Sequence, residues 1–101
     1  MKLLIVTIID ELHEELLKLF KLSKIKNFSG SDIEGYRQTA SRLRAASWFP
    51  GQKEETDSHL YFSFTKDENI DVFFKLVEGF NNSLETNSPI KAVVVPIERF
   101  V

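Results

Sequence analysis

From Ile33 to Gln52 the chain carries Arg37, Arg42 and Arg44, no acidic residue after Glu34, and an aromatic pair at Trp48 and Phe49. Guanidinium groups are planar forks of donors that match phosphate and carboxylate oxygens. The chemistry on offer is therefore recognition of an anion or of an acidic partner. The same arginines also suit a solvated surface run. Trp48 and Phe49 have two readings as well: an anchor for a partner protein, or a plug folded back on the domain. Trp is enriched at binding hot spots, while aromatic side chains are more often buried than exposed. A connection of about twenty residues is longer than compact domains usually carry without a functional reason.

Other chemistries are excluded or find no residues. There is no cysteine, so disulfides, thiolate metal sites and cysteine nucleophiles are ruled out together. The sequence has no nucleophile elbow, no His-Glu-x-x-His and no phosphate-binding P-loop, and its Ser and Thr residues have no base in their local sequence. The expectation is a protein that is not an enzyme. A net charge of −2 does not mark a general nucleic-acid binder, so no nucleic acid is expected as partner and anion binding must come from local clustering. Leu3 to Ile9 is apolar but too short for a membrane span, and it runs into Asp10-Glu11 without a small-residue cleavage site. A cytoplasmic location is expected.

The elements that must hold the arm are legible as patterns. At 101 residues, with 43% hydrophobic and 28% charged residues, the chain suits one globular domain over 1–101. Leu3 to Ile9, apolar at nearly every position, predicts a strand covered on both faces. Asp10 offers an N-cap, and Leu12, Leu16, Leu19 and Phe20 make one stripe of a helix ending near Ser23. Ile25 to Ser31 reads as a turn-rich connection and Asp32 to about Gln38 as a second strand. The arm occupies Thr39 to Ser58. Leu60, Phe62 and Phe64 then alternate with His59, Tyr61, Ser63 and Thr65, the period of a third strand.

Asp67 opens a second helix with the stripe Ile70, Phe73, Phe74, Val77 and Phe80, weakened at Gly79 and stopped by Asn81-Asn82 and Asn87-Ser88-Pro89. Ile90 to Ile97 is the fourth strand. Two βαβ halves in this order predict a ferredoxin-like α+β sandwich, βαββαβ, with a long loop between strands 2 and 3. Helices cover one sheet face in that fold, yet the first and fourth strands are apolar on both. A second copy of the chain is the expected cover, because large apolar patches are rare on monomers and closed homo-oligomers are the commonest assemblies.

This topology, the segment Asp32-Ile33-Glu34-Gly35-Tyr36-Arg37-Gln38 and the terminal Lys91-Ala92-Val93-Val94-Val95-Pro96-Ile97-Glu98 resemble the PII signalling proteins of nitrogen regulation and their PII-like relatives. The resemblance implies a homotrimer with nucleotide sites in the clefts between subunits. It also implies a T-loop, the arm, that signals to a target protein such as a membrane transporter. Gly35, Arg37 and Gln38 match the family's Gly-Phe-Gly-Arg-Gln turn with one residue missing, and Lys91 matches the lysine that opens the last strand. The resemblance makes these the ligand residues for an adenine nucleotide effector; Arg42, Arg44, Trp48 and Phe49 are the expected partner-binding residues of the arm, whose Trp48-Phe49 tip does not match the family. Glycine permits close backbone approach to a ligand, and Arg and Lys are the usual partners of phosphate oxygens. In place of the family's glycine-rich phosphate loop stands Glu85-Thr86-Asn87-Ser88-Pro89, and the usual tyrosine at the arm's tip is missing. These departures point to a divergent member with a ligand of its own.

Ser47-Trp48-Phe49-Pro50-Gly51 also resembles the aromatic segment of the CutA-like divalent-ion tolerance proteins, which share the fold. That resemblance opens a divalent-metal reading, with His59 as ligand and Asp57, Glu54 and Glu55 nearby. The plain alternative leaves His59 at the start of a strand, facing solvent, and His13 on the polar side of the first helix. Acylphosphatases have the same architecture, but they place a phosphate-cradling loop after the first strand, where this chain has the acidic, glycine-free Ile8-Ile9-Asp10-Glu11.

Overall fold

The structure is a computed structural model, and it describes residues 1–36, 55–84 and 88–101. β1 (Lys2–Ile9) leads through a 3-10 turn (Asp10–Leu12) into α1 (His13–Leu22), and β2 (Ser29–Tyr36) follows. β3 (Glu55–Thr65), α2 (Asp67–Ser83) and β4 (Lys91–Pro96) complete the second half. The four strands form one antiparallel sheet in the order β2-β3-β1-β4. This is the expected ferredoxin-like α+β arrangement, a two-layer packing of helices on one sheet face.

The core lies between the sheet and the helices. Leu4, Val6 and Ile8 of β1 meet Leu16, Leu19 and Phe20 of α1 and Phe73 and Val77 of α2, all buried. Phe20 is its centre: its ring is 4.5 Å from Phe28, 5.1 Å from Phe73 and 6.0 Å from Tyr61 between centroids. Aromatic pairs at such offsets add to the burial of their apolar area.

Several element boundaries differ from the sequence reading, each for a local reason. Asp10 does not cap α1; it begins the 3-10 turn, α1 starts at His13, and the Asp10 carboxylate goes to His59. β2 begins at Ser29 because Gly30, opposite Tyr61, lets the phenol ring lie against the backbone; a Cβ there would stand 2.5 Å from Tyr61 Cε1. β3 begins at Glu55, so the final residues assigned to the arm are strand, while residues 37–54 lie outside the described residues. α2 runs through Gly79 to Ser83. Asn81 stays helical because its amide brackets Ile90: Nδ2 donates to the Ile90 carbonyl at 3.0 Å and Oδ1 accepts from the Ile90 N–H at 3.0 Å. That bond pair delays β4 to Lys91.

α1 ends in a Schellman motif. The Ile25 N–H reaches the Phe20 carbonyl at 2.9 Å and the Lys24 N–H reaches Lys21 at 3.1 Å, which puts Lys24 in the left-handed region with φ 62°. A Cβ is unfavourable there. Lys24→Gly is therefore expected to stabilise the chain by about 1 kcal/mol, whereas Phe73→Ala should cost about 3–5 kcal/mol. Urea unfolding would show the first as a raised midpoint and the second as a lowered one at unchanged slope.

Candidate functional site

Strand alternation gives the sheet two chemically different faces. Under the helices lie Leu4, Val6 and Ile8 of β1 with Asp57, His59, Tyr61 and Ser63 of β3; the open face has Leu3 and Ile5, Leu60, Phe62 and Phe64, and Val93 and Val95. β3 therefore puts its polar phase inward. Phe62, Phe64 and Val95 are 39%, 55% and 41% exposed. Their cross-strand neighbours Ile5 and Leu3, with Val93 opposite Ile5, complete a continuous apolar patch. On the same face Thr7 is fully buried, and its hydroxyl has no hydrogen-bond partner among the described residues.

The expected nucleotide residues fall at the two borders of this open face. Gly35, near the end of β2, pairs with Thr56, and Lys91, the first residue of β4, pairs with Thr7 and is half-buried. β2 and β4 are the opposite edges of the sheet. Three strand spacings, roughly 14 Å at about 4.8 Å each, separate them, so one chain does not bring Gly35 and Lys91 together. Arg37, Gln38, Arg42, Arg44, Trp48 and Phe49 lie outside the described residues.

His59 faces the helix side, near the 3-10 turn. Its Nε2 is 2.6 Å from Asp10 Oδ1 and its Nδ1 is 2.7 Å from Asp32 Oδ1. The ring is only 18% exposed, so it does not simply face solvent, whereas the two carboxylates are largely in water. His13, read as a bland polar position, is half-buried: Nδ1 bonds the Tyr61 hydroxyl and its ring lies 5.2 Å from that of His59. Asp10, Asp32, Glu34 and Asp57 line the cleft beside His59, whose volume is about 880 Å³. Sequence neighbours pointed to Asp57, Glu54 and Glu55 as companions of His59: Asp57 lines the cleft beside it, Glu54 and the Glu55 side chain lie outside what the structure describes, and the carboxylates that contact the ring come from other elements. The available signal was the β2–β3 pairing, which sets Asp32 opposite His59.

Neither ring nitrogen of His59 is free for a metal ion, and among the described residues no group of three or more His, Asp or Glu side chains is placed to hold one. Burial raises the Tyr61 hydroxyl above the ordinary tyrosine value, and the nearby Asp32 and Asp10 charges raise it further. Among the described residues no helix is long and apolar enough to cross a membrane.

No family model matches the sequence, and no curated protein matches it. The fold is similar to the crystal structure of a DUF3240 family protein from Shewanella baltica, with a TM-score of 0.66 over 99% of this chain and 92% of that one at 9% identity. Likeness at this identity establishes the fold and nothing about activity.

Tyr61 generates a pH prediction whose sign is fixed. A phenol whose folded value is raised holds its proton longer in the native state. Its stabilising contribution is complete below the unfolded value of about 10 and is lost as pH climbs through the folded value. Ultraviolet titration should find one of the two tyrosines ionising late, together with loss of native structure. Tyr61→Phe should weaken that alkaline dependence and cost about 1 kcal/mol at neutral pH through the lost bond to His13; an unchanged alkaline unfolding midpoint would refute the assignment.

Proposed function

We propose that this chain is a PII-like regulatory protein without catalytic activity, assembled as a homotrimer through its open sheet face. In this reading it binds a small anionic effector, an adenine nucleotide, in the clefts between subunits. The supporting observation is the open face itself: an apolar patch built by β1, β3 and β4, with Gly35 and Lys91 at its two borders. Residues too far apart within one chain become neighbours when the β2 edge of one copy meets the β4 edge of another. An intersubunit cleft thus makes one site from Gly35, Arg37 and Gln38 on one side and Lys91 on the other. Lys91 supplies a point charge to phosphate oxygens, and Arg37 a bidentate fork.

The patch is also what supports the assembly in this reading. Exposed Phe62, Phe64 and Val95 gain roughly 25 cal/mol per Å² of apolar surface removed from water, and a second copy brings the same apolar side chains. The arm that follows β2 carries Arg42, Arg44, Trp48 and Phe49 to a target protein, taken here to be a transporter, from the cytoplasmic side. The effector can control that contact only if it binds one arm conformation better than another.

Two measurements test the proposal separately. Sedimentation equilibrium should give a trimer, and Phe62→Asp with Phe64→Asp should give a folded monomer by circular dichroism; a monomeric wild type removes the assembly. Isothermal titration with ADP, ATP and cyclic AMP should show binding to at least one, weakened by at least about tenfold in Lys91→Ala, the scale of a lost charge-assisted bond. No heat from any of the three at millimolar concentration removes the nucleotide.

A further inference from the structure

We propose that the proton on His59 fastens edge strand β2 to the corner between β1 and α1, and that loss of this proton unfastens it. A neutral imidazole has one N–H donor and one bare nitrogen, while an ionised carboxylate only accepts. Both ring nitrogens of His59 face carboxylate oxygens, at 2.6 Å on Asp10 and 2.7 Å on Asp32. The two contacts are attractive together only when both nitrogens carry hydrogen. Once one is bare, lone pairs meet across that contact and it opens.

The neighbours leave the ring no other arrangement. From the 3-10 turn comes Asp10; from β2 come Asp32 and Glu34; from β3 itself come Asp57 and Tyr61; from α1 comes His13. His13 is engaged by the Tyr61 hydroxyl, and its ring lies tilted beside that of His59 rather than bridging the carboxylates. No lysine or arginine among the described residues pairs with Asp10 or Asp32. A histidine ring held at 18% exposure by carboxylates from two separate elements is a cross-strand tie with a removable charge.

The consequence falls on β2. As an edge strand it is hydrogen-bonded to β3 alone, and Asp32 lies directly across from His59 in that ladder. The Asp10 contact carries the same ring back to the turn after β1. The protonated ring therefore links three parts of the fold at this end of the sheet: the 3-10 turn, β3 and β2. Because the two contacts need a hydrogen on each ring nitrogen, the tie responds to the proton itself as effector, whatever other ligand the protein binds.

Hydrogen–deuterium exchange of segment 29–36 in the intact, assembled chain tests this, with rates corrected for their intrinsic pH dependence. Protection is expected to fall by roughly three- to fivefold between pH 5.5 and 8, the scale of a partly exposed ion pair. The same fall is expected in His13→Gln, with a flat profile in His59→Gln. Should His59→Gln fold poorly, Asp32→Asn serves in its place: the amide can pair with a neutral ring, so its profile should also be flat. A flat wild-type profile, an undiminished fall in His59→Gln or Asp32→Asn, or its disappearance in His13→Gln overturns the proposal.

Discussion

The phase of β3 governs the rest of the molecule. A strand of period two can present either of its two residue sets to the helices, and a shift by one residue exchanges them completely. In this chain Leu60, Phe62 and Phe64 form one set and Asp57, His59, Tyr61, Ser63 and Thr65 the other. The second, more polar set faces inward. Burying hydroxyls costs free energy unless each finds a partner, and two of them do: Tyr61 bonds His13, and Ser63 donates to the Asn27 carbonyl at 2.5 Å. Gly30 completes the accommodation by leaving room for the phenol ring. The bulkier apolar set is thereby committed to the open face.

The sequence made much of the frame legible, because the frame rests on local periodicity. The α2 stripe is real, with Ile70, Phe73 and Val77 buried and Phe74 and Phe80 half-buried, and β1 is apolar on both faces as read. What it concealed depends on contacts between distant residues. Ser29-Gly30-Ser31 has the composition of a turn, and only the ring of Tyr61 across the ladder makes it a strand. Asp10 has the composition of a helix cap, and only His59, far along the chain, claims its carboxylate. Spacing cannot reveal either pairing until the strand order is known.

Electrostatics divides the chain in a related way. The cationic residues of the segment between β2 and β3 follow one another in sequence, whereas the acidic corner is assembled from the 3-10 turn, β2 and β3. Asp10, Asp32, Glu34 and Asp57 surround His59 at the end of the sheet where the arginine-bearing segment begins and ends. The four carboxylates are exposed, so the attraction they exert on a cation passes through water and weakens as salt rises. The His59 ring, 18% exposed, is the more shielded partner in both of its carboxylate contacts.

β3 consequently builds two chemically different surfaces on alternate residues. Its even positions, Leu60, Phe62 and Phe64, form the middle of the open face; its odd positions, Asp57, His59 and Tyr61, form the acidic corner. The two sets share a backbone but no side-chain contact across the sheet plane. Any coupling between what covers the open face and what holds the β2 edge must then pass through the β3 main chain and its pairing with β2. An antiparallel ladder transmits such a bias only if it has two arrangements that both faces distinguish, and the end of an edge strand, paired on one side only, is the part of a sheet most able to have two.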